Sequence, residues 1–250
     1  MRLAHAFGSP NTVKTTHICN WHKDHGSKYT YGVGIPEGDY ENSNCIIVWG
    51  ANPHATAIRH ALDIENAAKK GAKVIVIDPR SIPLARVAAL HLRNLPGSDL
   101  ALALGFINQV IEKQRYDKDF VARWTNAPFL VRGDTGRLLT EEDLKPRGSQ
   151  ERYVVWDAAG GKPVIYNPDK VSFESDSVKP IVEEKVEVSL QDGRTVACTT
   201  VLTKLKEIVS EFSLERTSQI TSIPEESIAE AVDLLTSSRP VSYYTWNGVE

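Results

Sequence analysis

The stretch THICNWHKDHG, residues 16–26, gathers the side chains with the most reactive chemistry in the sequence: Cys19 and the imidazoles of His17, His22 and His25, with Trp21 and Asp24 among them. A thiolate is a nucleophile or a soft metal ligand, and an imidazole is a ligand or a proton carrier near neutral pH. Three uses are open: a metal site, a catalytic thiol, or a polar loop with an inert cysteine. His22 and His25 are three apart and would share one helical turn. A structural zinc site would need further Cys or His ligands at short spacing, which the chain does not offer clearly. Cys45 lies inside an apolar run and reads as core, and Cys198 has no partner in sequence. Three widely spaced cysteines give neither a disulfide framework nor the close-set ligands of an iron–sulfur cluster.

A second group of candidates lies at the ends of apolar runs. CIIVWG (45–50) leads into GANP, and KVIVIDPR (73–80) ends in Asp78-Pro79-Arg80. Between them, ATAIRHALDIENAAKK places Ile58, Ala61, Leu62, Ile64 and Ala68 at roughly helical spacing, and Lys69, Lys70 and Gly71 suit a helix end. Strand, helix and strand with both strands wholly apolar predict a parallel βαβ unit. HLRNL is a third short strand candidate, and DLALALGFINQVIEKQ a strong helix that Ser98 could cap, with Asp99 in its first turn.

In an open parallel sheet, ligands bind at the carboxyl ends of the strands. Gly50, Asn52, Asp78 and Arg80 are therefore candidates for a nucleotide site: an acid after the second strand can bond a ribose hydroxyl, and an arginine can meet a phosphate. Equally, the glycine and prolines can simply turn the chain and Asp78 cap a loop. The GxGxxG loop of a simple NAD-binding domain is missing.

From about 127 to 200 the pattern turns irregular and hairpin-rich, with YVVWD a short strand and EEKVEVSLQDGRTVAC a hairpin about Asp192-Gly193. Helices return at VLTKLKEIVSEF and at SIPEESIAEAVDLLTSS, where Ser222 and Glu225 fit a capping box and Pro224 the first turn. PVSYYTW opens another strand. The expected fold is α/β, an open, mostly parallel sheet with flanking helices and an incomplete outline. Three regions are expected: 1–126 as the α/β region, 127–200 as the excursion, and 201–250 as helices and the first strand of a second α/β subdomain.

Composition narrows the class. At 41% hydrophobic and 24% charged residues, the 250-residue chain has an ordinary globular balance. A net charge of −3 gives no basic face for nucleic acid. No apolar run reaches the roughly 18–20 residues of a membrane span, and no signal-peptide core is legible. Both MRLAHAFGSPN and VSYYTWNGVE read as the middle of a fold, so the chain is expected to be a fragment of a longer protein.

Taken in order, GSPN (8–11), Cys19 in its polar loop, NCIIVWGANP (44–53), the long segment 71–125 containing IDPR and LPGSD, and SIPEESIAEAV resemble the catalytic subunits of the molybdopterin oxidoreductases, the dimethyl sulfoxide reductase superfamily. The resemblance is dense through 44–125, extends to FLVRGDTGRLL, YVVWD and 198–250, and so covers nearly the whole chain. It implies a bis(molybdopterin guanine dinucleotide) cofactor carrying molybdenum or tungsten, with Cys19 as a thiolate ligand to the metal beside the pterin dithiolenes, a soft anionic donor of the kind such a metal takes. His22, and with it His17 and His25, would stand near the metal as proton carriers. Gly50 would permit close approach, Asn52 would offer hydrogen bonds, Asp78 would face the guanosine, Arg80 the nucleotide, and Gly97 and Asp99 of LPGSD the guanine edge. Tyr243–Gly248, including Trp246 and Gly248, would approach the second pterin arm.

The resemblance further implies an oxidoreductase acting on a small molecule by moving oxygen or sulfur atoms or electrons. Anionic sulfur, nitrogen or arsenic compounds and small organics are all open as substrates. Iron–sulfur electron-transfer and membrane-anchor subunits are its implied partners, in the cytoplasm or the periplasm. The family's 4Fe-4S cluster is expected in the full-length protein, since its ligands are not in this chain. Formate dehydrogenases of the family carry a histidine directly after the metal-binding residue; Asn20 stands there, which disfavours formate. Alternatives are a non-redox hydratase or hydroxyl-transfer enzyme of the same family, and a truncated paralogue that binds cofactor without catalysis.

Overall fold

The computed structural model describes residues 6–9, 25–29, 32, 37–173, 175, 177–246 and 249. Two compact units are present, one of 1–99 with 233–250 and the other of 100–232.

The first unit begins with strand β1 (Cys45–Trp49), followed by the short helix α1 (Pro53–Thr56), helix α2 (Ile58–Lys69), strand β2 (Lys73–Ile77) and strand β3 (Leu90–Leu92). Val74 to Ile77 are all fully buried, which is why β2 reads as an unbroken apolar run and not as an alternating one. Helix α2 buries Ala61, Ile64 and Ala67, while Ile58 and Leu62 of the expected apolar face are exposed. The buried set follows a three-residue ridge on which small alanines let the helix lie close to the sheet. Its end is a Schellman motif: Gly71 takes φ +108, its N–H donates to Ala68 O, and Ala72 N–H donates to Ala67 O.

Helix α3 (Asp99–Glu112) carries the chain into the second unit. The elements that follow are helix α4 (Lys118–Trp124), strand β4 (Leu130–Arg132), helix α5 (Glu141–Leu144) and strands β5 (Val154–Asp157), β6 (Lys162–Asn167), β7 (Ser172–Phe173), β8 (Lys185–Ser189) and β9 (Thr195–Thr200). The hairpin-rich segment is more ordered than its sequence suggests, forming antiparallel sheets of order β4-β9-β8 and β5-β6-β7. The expected turn joins β8 to β9, with Gly193 at φ +84 and Asp192 accepting the Arg194 N–H. Leu130, Leu139, Val154, Val188, Val196 and Cys198 close one core between the strands. Helices α6 (Val201–Val209) and α7 (Leu214–Thr221) follow, capped by Thr200 and Ser213.

Two predictions arise in this unit. Gly105 of α3 faces Thr217 of α7, and a β-carbon at 105 would sit 2.7 Å from the Thr217 Cγ2. Alanine gains about 1 kcal/mol of helix propensity. Thr217 is fully buried and short, so it cannot swing aside, and overpacking costs about 1–3 kcal/mol. Gly105→Ala is expected to destabilise, and in a Thr217→Ala background the same change should become neutral or favourable, as denaturant unfolding would report.

The second concerns acid. Lys145 bonds the buried Glu141 carboxylate at 2.6 Å and the Ser149 N–H also donates to it, so its pKa is held below the usual carboxylate range. Asp157 accepts the N–H groups of Lys179, Ala159 and Gly160 and is lowered likewise. A lowered folded pKa means stabilisation that is complete above the unfolded value, about 4–4.5, and lost as pH falls through the folded value. Melting temperature should therefore drop below about pH 4.5, and Glu141→Gln should lower it at neutral pH while flattening that acid limb.

Helix α8 (Glu225–Ser237) brings the chain back to strand β10 (Val241–Thr245). Ser222 does not cap α8: it ends α7 in the left-handed conformation, φ 59, three residues before α8 starts. Strand β10, placed by the sequence at the start of a second subdomain, pairs in parallel with β1, Cys45 opposite Val241 and Trp49 opposite Thr245. The resulting sheet is parallel throughout, of order β10-β1-β2-β3. Chain order runs away from β1 on both sides, so the switch point lies between the carboxyl ends of β1 and β10, where open α/β sheets form a ligand crevice.

Candidate functional site

The carboxyl edge of this sheet carries most of the residues named from sequence. Gly50 follows β1 with φ +57, and its N–H donates to Ile77 O at 2.9 Å. Its amide is thus engaged in the sheet, and glycine supplies the left-handed turn and the lack of a side chain. Asn52 precedes α1 without capping it, and its Oδ1 is buried with no hydrogen-bond partner.

Asp78, only 4% exposed, follows β2. Its Oδ1 accepts the Arg80 N–H at 2.8 Å, and its backbone carbonyl lies 3.0 Å from His91 Nε2. Asp78 therefore shapes the loop itself. Arg80 extends outward, its side chain 78% exposed, with Nε 3.8 Å from Asp78 Oδ1. Gly97 is exposed at φ +84 in the turn before α3, where Ser98 donates its hydroxyl to Leu95 O at 2.6 Å.

Asp99, in the first turn of α3, is the centre of a small network. Trp49 at the end of β1 donates its indole N–H to Asp99 Oδ1 at 2.6 Å, and Asn94 Nδ2 donates to the same oxygen at 3.0 Å. Among the described residues nothing takes Oδ2. Asn94 is 3% exposed, yet its own Oδ1 has no partner. Asp99 can therefore hold its carboxylate in one orientation while keeping an oxygen for a ligand.

Trp246, just past β10, is half-buried against the core formed by Ile46, Val48, Val74 and Val76. The structure thus brings Gly50, Asn52, Asp78, Arg80 and Asp99 to one edge of one sheet, with Trp246 at the end of its outer strand. His25 is half-buried in helical backbone at 25–29. Cys19, His17, His22 and Gly248 lie outside the described residues.

Sequence reasoning missed Trp49, Asn94 and His54. Trp49 is a donor-bearing aromatic at a strand end, and Asn94 lies five residues before Asp99; only the fold joins them. His54 Nε2 lies 2.9 Å from Glu65 Oε1, and its Nδ1 is buried without a partner. Among the described residues no group of three or more His, Cys, Asp or Glu is arranged to hold a metal ion, and no helix is long and apolar enough to cross a membrane.

The donor set fits a guanine nucleotide. Guanine presents adjacent N–H donors, and this edge offers acceptors for them: Asn52 Oδ1 and Asn94 Oδ1, which lack donors, and the second oxygen of the Asp99 carboxylate, whose Oδ1 is held by Trp49 and Asn94.

Comparison with known proteins places the chain in a family. The model of the family described as molybdopterin oxidoreductase matches residues 1–246. The chain is 30% identical over 268 residues to the perchlorate reductase subunit alpha of Dechloromonas aromatica, spanning 96% of this chain and 28% of that protein. It is 33% identical over 172 residues to the dimethylsulfide dehydrogenase subunit alpha of Rhodovulum sulfidophilum, spanning 69% and 19%. The chain thus spans about a quarter or less of the length of these curated relatives. Among solved structures, acetylene hydratase from Pelobacter acetylenicus shares the fold at 22% identity and a TM-score of 0.58, over 99% of this chain and 24% of that one. The parallel sheet with its polar carboxyl edge is therefore the scaffold of a known enzyme family, and the chain belongs to the molybdopterin oxidoreductases.

Proposed function

We propose that this chain is the part of a molybdenum or tungsten oxidoreductase catalytic subunit that cradles one guanine dinucleotide arm of a bis(molybdopterin guanine dinucleotide) cofactor and supplies the metal's protein ligand. The observation that carries the reading is the Trp49–Asp99–Asn94 network at the carboxyl edge of the parallel sheet, which orients an acid at an edge where the amide oxygens of Asn52 and Asn94 have no hydrogen-bond partner. Asp99 would accept the guanine N–H pair, with Asn94 and Asn52 beside it. Gly50 and Gly97 would let the ligand come close to the backbone. Arg80, whose side chain is exposed, would meet a phosphate. Asp78 would act through the loop it shapes. Trp246 and Gly248 would approach the second pterin, Cys19 would coordinate the metal, and His22 would carry protons nearby. When bound, the cofactor supplies the two-electron and atom-transfer chemistry, and the protein supplies position and electrostatics.

In this proposal the whole enzyme acts on a small oxidisable or reducible molecule. It works with an iron–sulfur electron-transfer subunit and a 4Fe-4S cluster carried elsewhere in the full-length protein. A hydratase reading has one point in its favour, a stretch 34% identical to the acetylene hydratase of Syntrophotalea acetylenica over 124 residues. Stoichiometry tests the common claim. The full-length protein, purified without oxygen, should release guanine nucleotide and contain molybdenum or tungsten near one metal per chain. A protein free of both, from a host that loads such cofactors, would refute it. Reduction of the metal by a substrate would then separate the redox enzyme from the hydratase.

A further inference from the structure

We propose that helix α4, through Phe120 and Trp124, is an interface inside the full-length subunit, covered by polypeptide of the same subunit that lies outside residues 1–250. The interface belongs to the second unit, uses no residue assigned to the cofactor, and stands whether or not the cofactor is held as described above.

The first observation is how weakly α4 is held. It has seven residues, KDFVARW, and none of them is buried. Asp117 caps it by accepting the Phe120 N–H at 2.9 Å. Val121 packs partly against the core of Ile111, Ala127, Leu202 and Val209. A helix this short is marginal in water, because packing of an apolar face supplies most of the stability of helices in proteins. Yet Phe120 and Trp124, four apart and so on one side of the helix, are 55% and 67% exposed.

The neighbouring helices repeat the pattern. In α3, Leu100, Leu104, Ile107 and Ile111 recur at helical spacing as one apolar stripe. Leu104 and Ile111 join the core, whereas Leu100 is 71% exposed and Ile107 is exposed as well. Helix α6 gives Leu202, Leu205 and Val209 to the same core and leaves Ile208 outside. Single apolar residues on a surface need no explanation. Three helices that share one core and all carry large apolar side chains beyond it do, above all where a Phe and a Trp stand side by side on a helix with no buried residue.

Two observations choose the occupant. The chain spans 28% of the perchlorate reductase subunit alpha, so most of a subunit of that length lies outside it. The exposed set is aromatic and aliphatic, the composition of permanent interfaces, whereas exchanging partners meet more polar surfaces. A helix that depends on its cover needs it from folding onward, and a segment of the same polypeptide supplies that.

Photo-crosslinking tests the proposal in the full-length protein carrying Trp124→p-benzoylphenylalanine. After irradiation, the joined peptides are identified by mass spectrometry. Crosslinks should form to peptides of the same subunit outside residues 1–250, with a yield that does not change on dilution. Crosslinks confined to residues 1–250, to a second copy or to a different subunit would overturn the proposal, as would a probe that reacts with no peptide at all. Should that variant fail to fold, Phe120→p-benzoylphenylalanine places the same probe on the same side of α4 with a smaller change of shape, and the same outcomes decide.

Discussion

Replacing Asp99 by alanine is expected to destabilise the first unit by about 2–3 kcal/mol and to abolish guanine nucleotide retention. The stability loss follows from the two donors that converge on Asp99 Oδ1, the Trp49 indole N–H at 2.6 Å and Asn94 Nδ2 at 3.0 Å. A hydrogen bond to a charged group contributes about 1.5–3 kcal/mol, and a donor buried without a partner costs a comparable amount. Asn94 is almost wholly inside, so water cannot replace the lost acceptor there. A carboxylate in the first turn of α3 adds about 0.3–1 kcal/mol against the helix dipole, reduced by its partial exposure.

Asparagine at 99 separates the two roles. Its carbonyl can still accept from Trp49, so Asp99→Asn should keep most of the stability. Its amide cannot accept a pair of guanine N–H donors as a carboxylate does, so nucleotide affinity should fall by about 10- to 100-fold. Denaturant melts alongside nucleotide content of the full-length variants check both halves. Equal nucleotide content in D99N and wild type would leave Asp99 a purely structural acid.

The second large effect is at Cys19. A thiolate bound to a soft metal is a soft anionic donor that no other residue of 16–26 replaces, because the imidazoles are neutral and the Asp24 carboxylate is a hard oxygen donor. Cys19→Ala is expected to lower metal occupancy severalfold and eliminate turnover while leaving the melting curve of the second unit unchanged. Nucleotide should largely remain, since the acceptors that would hold it lie at the sheet edge and not in this loop. Joint loss of metal and nucleotide would show that the two sites are not separable in this way.

Much of the scaffold was legible because it rests on short-range physics. Val74–Ile77 must be apolar on every residue to sit inside a parallel sheet. Gly71 marks the left-handed end of α2, and Asp192-Gly193 the hairpin turn. Those signals lie within a few residues of one another.

Other features depend on contacts between distant segments. That β10 lies beside β1 cannot be read from PVSYYTW alone, yet this pairing creates the switch point. The exposure of Ile58 and Leu62 depends on which ridge of α2 the sheet selects. Ser222 fits a capping box in sequence but is used to end α7.

The site divided along the same line. Gly50, Asn52, Asp78 and Asp99 stood out as strand-end or helix-start residues. What each does there was set by its partners, some adjacent and some far away in sequence. Asp78 is held by its own loop, while Asp99 is aimed by Trp49 and Asn94. The His54–Glu65 pair, eleven residues apart, looks in sequence like ordinary polar surface.

The most direct test of the central claim is X-ray absorption at the metal edge of the full-length enzyme, wild type beside Cys19→Ser. The account predicts one sulfur beyond those of the pterin dithiolenes in wild type, replaced by a lighter oxygen or nitrogen scatterer in C19S. An identical sulfur shell in the two proteins would contradict it and remove Cys19 from the metal.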